Sequence, residues 1–259
     1  MHLDRYFGLA GRTALITGAT RGIGLAMSHA FADAGAQLVI ASDEAAAGAA
    51  LAHELEASGT PCLAHACDVA EPAELAELVA AATARFARID VLVCNAGIPG
   101  PNGPLASAGA SEIDRLFAIN LLHPLRLSNL VAPGMAARGD GSIVLTASIA
   151  GMRGNRHVGL YGMAKAALIQ LARNLAVEWG PSGVRANALA PGLVRTLWAS
   201  KVLANPEATE RRLSLTPLRR IAEPWEIASA ALFLAGPGAA FITGQTLVID
   251  GGTLITDGN

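Results

Sequence analysis

Two residue types that can move or hold a proton are scarce in this chain, and one of each stands four apart. The tyrosines are Tyr6 and Tyr161 and the lysines are Lys165 and Lys201; arginine supplies the other strong cations. Tyr161 and Lys165 open an Ala/Leu-rich stretch, Leu160 to Trp179, with helical spacing. A helix there puts both side chains on one face, one turn apart. A free phenol has a pKa near 10 and is a poor general base at neutral pH. An ammonium about 4.5 Å away, at an effective dielectric of about 20, is worth roughly 3–4 kcal/mol. That is about 2–3 pKa units downward, less what desolvation takes back. The spacing therefore predicts a phenol poised near neutrality beside a compact cation. That cation can also hold hydroxyl groups, a task unsuited to the planar arginine fork. The plainer alternative is a solvated pair on a helix surface.

A second cluster lies near the start. Thr17-Gly18-Ala19-Thr20-Arg21-Gly22-Ile23-Gly24 follows a short β-prone run and precedes a helical stretch. Glycines in such a turn let backbone N–H groups approach a pyrophosphate, and the helix N-terminus adds its partial positive charge. The spacing is G-x-x-x-G-x-G rather than G-x-G-x-x-G. The strand–turn–helix context carries the reading beyond an ordinary Gly-rich turn.

These groups need a frame that holds them together. Short apolar runs recur at Thr13 to Thr17, Gln37 to Ala41, Pro61 to Ala66, Asp90 to Cys94, Ser142 to Ala147, Val184 to Leu189 and Thr246 to Ile249. Runs of this kind suit strands buried on both faces. Helical stretches such as Pro72 to Phe86 separate them. The alternation predicts an α/β, Rossmann-type, doubly wound parallel sheet of seven strands with helices on both faces. One domain spanning 1–259 is the simplest organisation. On such sheets ligands bind beyond the carboxyl ends of the strands. Past the second strand the chain reads Ser42-Asp43-Glu44. A carboxylate there accepts hydrogen bonds from ribose hydroxyls and repels a 2′-phosphate. Arg21 in the turn pulls the other way. The reading is NAD, with NADP as the alternative.

With these motifs in order, the chain resembles the classical short-chain dehydrogenases/reductases from Gly11 to Gly252. Ser148, Tyr161 thirteen residues on, and Lys165 match that family's S…Y-x-x-x-K signature, and Asn120 its fourth catalytic position. Cys94-Asn95-Ala96-Gly97 is similar to its N-N-A-G element, with Cys94 in place of an Asn whose role there is structural. Asp68-Val69 matches the pair at the adenine. Pro191-Gly192-Leu193-Val194-Arg195-Thr196 is similar to the segment that closes on nicotinamide and pyrophosphate. The resemblance implies roles. Tyr161 is general acid or base, Ser148 aligns the substrate oxygen, and Lys165 lowers the tyrosine pKa and binds ribose. Asn120 holds a water leading from Lys165 to solvent. The cofactor set it implies is Gly18, Thr20, Arg21, Gly22, Ile23, Gly24, Asp43, Asp68, Val69, Asn95, Ala96, Gly97, Tyr161, Lys165, Pro191, Gly192, Val194 and Thr196. The family's NAD-selecting Asp aligns nearer Ser42, one residue before Asp43. A substrate lid is expected over about 194–218, and a homotetramer is the family's usual assembly.

Composition narrows the function further. With 52% hydrophobic residues the chain is not disordered, and with 4% aromatics its core is built from Ala, Val, Leu and Ile. The formal charge of −2, with dense basic spots only at Arg211–Arg212 and Arg219–Arg220, argues against a nucleic-acid partner. No run suits a membrane span, and Met1-His2-Leu3-Asp4-Arg5 does not read as a signal peptide. Cys62, Cys67 and Cys94 fit a reduced cytoplasm, and neither they nor the six histidines show metal-ligand spacing. The expected partner is a small alcohol or carbonyl compound. It would sit between Ile98 to Pro104, Ile149 to Leu160 and the lid, against Met152, Leu193, Trp198 and Leu203. Arg153 or Arg156 could meet an anionic group, or serve as loop or subunit-contact residues. Two other readings stand beside the oxidoreductase. An epimerase or dehydratase with bound cofactor is usually longer than this chain. A cofactor-sensing regulator would not need Tyr161 and Lys165.

Overall fold

Leu15 packs on one face of the sheet while its neighbours Ala14 and Ile16 pack on the other. The same division runs through Val39 against Leu38 and Ile40, and through Leu92 against Val91 and Val93. These strands are apolar through their centres because both sheet faces are covered by helices. The computed structural model describes residues 3–256, except for the side chains of Lys201 and Val202. Met1, His2 and Asp257 to Asn259 lie outside the described residues.

The strands are β1 (Thr13–Thr17), β2 (Gln37–Ser42), β3 (Cys62–Ala66), β4 (Val91–Cys94), β5 (Gly141–Thr146), β6 (Val184–Pro191) and β7 (Thr246–Ile249). They form one parallel sheet in the order β3-β2-β1-β4-β5-β6-β7. The expected Rossmann-type architecture in one domain is what the chain adopts. Strand ends differ from the sequence reading by up to two residues, most at β6, which continues to Pro191. Helices α1 (Asp4–Phe7), α2 (Gly22–Asp33), α3 (Ala45–Ala57), α4 (Pro72–Phe86), α5 (Ala110–Phe117), α6 (His123–Arg138), α7 (Gly159–Trp179), α8 (Ser200–Leu203), α9 (Pro206–Ser214) and α10 (Pro224–Ala235) connect and flank the strands. A π turn, Ala118–Leu122, joins α5 to α6. None of the described helices is long and apolar enough to cross a membrane.

The strand order reverses between β1 and β4, where Thr17 lies beside Cys94. That switch point opens a crevice at the carboxyl ends of the two strands. The Gly-rich turn leaves β1 there, and Asn95-Ala96-Gly97 leaves β4 beside it. Ser148 follows β5, while Pro191 ends β6. Every motif of the sequence analysis except those on helices therefore emerges on one edge of the sheet.

Candidate active site

The Gly-rich turn is tight because its glycines leave no room for side chains. Gly18 has φ +63°, and a Cβ on it would lie 2.9 Å from the Ala96 Cα. A Cβ on Gly24 would sit 1.9 Å from the Gly18 carbonyl oxygen. Side chains brace the turn from beneath. The Thr17 hydroxyl accepts from Asn95 N at 3.1 Å and Ala96 N at 3.2 Å, while Asn95 Nδ2 donates to the Gly18 carbonyl at 3.2 Å. Asn95 thus braces the turn, and Cys94 beside it is buried. The start of α2 has no side-chain cap and no acidic residue in its first turn. Its free N–H groups and partial positive charge suit an anion. Across the cleft, a Cβ on Gly22 would come 3.1 Å from Thr196 Cγ2, so the Pro191 to Thr196 segment folds back over the turn. A cradle of glycines walled by Asn95, Ala96 and Thr196 fits a dinucleotide pyrophosphate.

Past the end of β2, Arg21 Nη2 lies 3.5 Å from Asp43 Oδ1, and Arg21 Nη1 also pairs with Glu44 Oε1. Arg21 is therefore engaged by two carboxylates rather than standing alone as a cation. Thr20 and Ser42 share a hydroxyl hydrogen bond at 3.0 Å. Asp68 spends its carboxylate locally, on Ala70 N at 3.0 Å and on Arg115 at 3.3 Å; Val69 is buried.

Ser148 caps a 3-10 turn, Ile149–Met152, its Oγ accepting from Ala150 N at 3.1 Å. Tyr161 and Lys165 lie one turn apart on α7, with the Lys165 ammonium 5.5 Å from the Tyr161 ring centroid. Lys165 is buried and donates to the Thr146 carbonyl at 2.7 Å. The shared helix face is as expected, but the expected electrostatics are not. Burial around the Tyr161 hydroxyl pushes its pKa up to about 12, with the Ser148 hydrogen bond pulling it down. Burial likewise brings Lys165 down to about 8. The ammonium is turned to a backbone carbonyl, so desolvation outweighs any pull on the phenol. Tyr161 is accordingly a neutral phenol at pH 7.

Asn120 lies in the π turn and is fully buried. Its Nδ2 donates to the Ile98 carbonyl at 2.9 Å and the Leu116 carbonyl at 3.2 Å, while its Oδ1 accepts from Ile98 N at 3.3 Å. It clamps the strand end next to Gly97. A Cβ on Gly97 would lie 2.7 Å from Asn120 Oδ1 and 3.6 Å from Lys165 Nζ. Asn120, Lys165 and Gly97 therefore share one corner.

The 194–218 segment begins where Val194 forms a short parallel bridge with Ala222, reinforced by the Arg195–Glu223 ion pair at 2.8 Å. From this anchor Trp198 reaches back over the site. Its ring meets Tyr161 edge-on, centroids 5.9 Å apart, and its rim lies 3.7 Å from where a Gly97 Cβ would be. Gly103 bridges Val158, joining the loop after β4 to the loop before α7. Leu193 lines a cavity of about 80 Å³ with Arg212, Thr216, Glu226 and Asp250. Leu203 lines a different cleft, with Pro206 and Glu210, rather than one shared with Leu193. Among the described residues no group of three His, Cys, Asp or Glu is placed to hold a metal. Thr17, Thr146 and His123 were not singled out in the sequence. Thr17 and His123 each hold a backbone group, and Thr146 offers its own carbonyl to Lys165, roles for which residue type and spacing carry no signal.

A family model described as enoyl-(acyl carrier protein) reductase matches residues 18–253. The 7alpha-hydroxysteroid dehydrogenase of Escherichia coli strain K12 is 37% identical over 247 residues, covering 94% of each chain. The chain belongs to the classical short-chain dehydrogenase/reductase family. Solved structures of the family superpose closely. A gluconate 5-dehydrogenase from Burkholderia cenocepacia J2315, in complex with NADP and tartrate, is 33% identical with TM-score 0.94, covering 98% of this chain and 100% of that one. A 7α-hydroxysteroid dehydrogenase with NADH and 7-oxo glycochenodeoxycholic acid is 36% identical with TM-score 0.93, covering 97% and 98%. This short-chain dehydrogenase/reductase is an NAD(P)-dependent oxidoreductase acting on CH–OH and C=O groups.

Proposed function

We propose that Tyr161 carries the proton in this reaction, with NAD as the preferred cofactor and a substrate bearing an anionic group. The observation that carries the assignment is Tyr161 on the same face of α7 as Lys165, one turn ahead of it, with the Lys165 ammonium buried and held on the Thr146 carbonyl. The nicotinamide, when bound, supplies or accepts the hydride. In carbonyl reduction the Tyr161 O–H donates its proton to the substrate oxygen that Ser148 holds; in alcohol oxidation the phenolic oxygen takes that proton back. Lys165 would hold the nicotinamide ribose, and Gly18, Gly22 and Gly24 the pyrophosphate. Asp43 and Glu44, which outnumber Arg21, support NAD over NADP.

The substrate class rests on Arg153 and Arg212. Arg212 is half-buried on α9, and its pKa is lowered first by burial and then by the Arg153 guanidinium on the loop after Ser148. Neither has a carboxylate within salt-bridge distance among the described residues. Arg153 and Arg212 lie close enough to repel each other, and an anion between them would relieve that repulsion. The ligands named with the two related structures, tartrate and a bile acid conjugate, are acids. The lid over 194–218 would close on such a substrate.

Exposed Met163, Val177, Trp225 and Phe241 on or near α7 and α10 support a homotetramer packed through these elements. A reduced, cytoplasmic setting fits three free, buried cysteines. The test is nicotinamide absorbance with secondary alcohols and ketones, each acid paired with its methyl ester. Turnover of acids at least tenfold above esters, lost in Arg153→Ala and Arg212→Ala, is expected. Equal turnover of acid and ester refutes the anionic class, and no turnover with any compound refutes the proton-transfer assignment.

A further inference from the structure

The π turn that carries Asn120 has a defect in its backbone bonding, and one side chain repairs it. The His123 N–H bonds the Ala118 carbonyl, five residues back, as a π turn requires. The Ile119 carbonyl thereby loses the donor that an α-helix would give it. The next donor in π register is residue 124, which is proline and has no N–H. Pro124 is also the cause of the widening: in a straight α-helix its ring would strike the carbonyl of residue 120. An unpaired carbonyl in so buried a place is costly. His123 Nδ1 lies 3.1 Å from the Ile119 oxygen, its ring fully buried.

We propose that His123 is a positioning residue: its Nδ1–H replaces the backbone donor that Pro124 lacks and so holds the π turn that aims Asn120. A carbonyl oxygen only accepts, so Nδ1 carries the proton. The ring is kept neutral by burial and by the Lys165 ammonium, which fixes the Nδ1–H tautomer and leaves Nε2 as a lone pair. Nε2 has no partner among the described residues, so the ring acts on the turn through Nδ1 alone. The consequence reaches the site in three steps. His123 holds Ile119, the adjoining Asn120 is turned inward, and Asn120 clamps Ile98 through both of its amide atoms. Ile98 adjoins Gly97, the wall beside Lys165. Loosening the first contact moves that wall.

The experiment has an arm that does not depend on turnover. Nitrogen-15 NMR of the imidazole is expected to show a protonated Nδ1 and a bare Nε2 in the folded chain. A bare Nδ1 overturns the proposal whatever the reaction proves to be. The second arm rests on the oxidoreductase reading and compares three variants. His123→Asn places an amide N–H where Nδ1 stood and is expected to keep kcat within threefold. His123→Gln and His123→Phe place no donor there. Each is expected to lose at least tenfold in kcat, with the cofactor Kd changed less than threefold. Equal activity of the Asn and Gln variants, or a wild-type rate in the Phe variant, overturns the proposal. If the Phe variant does not fold, the Asn–Gln comparison decides alone.

Discussion

Removing the Asp43 carboxylate should shift cofactor preference toward NADP by an amount set by its exposure. The cluster past the end of β2 holds Asp43, Glu44 and Arg21, a formal charge of −1, with Asp43 64% and Arg21 53% exposed. A unit charge at about 4 Å is worth about 1 kcal/mol in water and about 4 kcal/mol at an effective dielectric of 20. Side chains more than half exposed sit near the lower figure, so each unit of charge is worth about 1–2 kcal/mol against a 2′-phosphate. At about 1.4 kcal/mol per tenfold, Asp43→Ala should raise the NADP-to-NAD ratio of kcat/KM by about 5–30-fold. The same change frees Arg21 from one of its two carboxylates. Asp43→Arg changes the charge by two units and should shift the ratio roughly twice as far on a logarithmic scale. The assay is kcat/KM for both cofactors with one substrate, at low and high salt. High salt should compress the shift because the site is solvent-screened. Wild type preferring NADP tenfold, or an unchanged ratio in Asp43→Arg, refutes the reasoning.

Lys165→Arg should lose most activity although the charge is kept, because the planar fork cannot replace a point donor on the Thr146 carbonyl; steady-state rates near wild type would make Lys165 an ordinary cation. Stability should fall in acid through His123. Its pKa is about 6.5 unfolded and about 4 folded, so below pH 6.5 the unfolded chain takes up the proton first. The loss grows from pH 6.5 to about 4, reaching at most about 3 kcal/mol from this group, and then levels off. Melting curves of His123→Asn should be flatter than wild type over that interval; parallel curves count against it. The lid should report on binding through Trp198, which packs on Tyr161. Tryptophan fluorescence and hydrogen exchange over 194–218 should change when cofactor and substrate bind, and identical signals would show a lid that takes no part.

The sheet was legible because strands buried on both faces are apolar through their centres, as Leu15 beside Ala14 and Ile16 shows. The site was legible where chemistry dictates residue type. Gly24 cannot carry a Cβ 1.9 Å from a carbonyl oxygen, and Tyr161 and Lys165 must share a helix face. The pKa of Tyr161 was not legible, because burial is a property of everything packed around the hydroxyl and not of the spacing to Lys165. Nor was the engagement of Arg21 by Glu44, which depends on where the β2 and α2 ends meet. His123 looked like any other histidine until the bonding of the π turn showed a carbonyl with no backbone donor left to it.

The most direct test of proton transfer by Tyr161 is single-turnover hydride transfer in Tyr161→Phe, read by nicotinamide absorbance, with cofactor affinity measured beside it. The variant keeps the ring against Trp198 and removes only the hydroxyl. The account predicts a rate lower by about 10²–10⁴-fold, the usual worth of general acid–base catalysis, with cofactor Kd nearly unchanged. A rate above a tenth of wild type would contradict it.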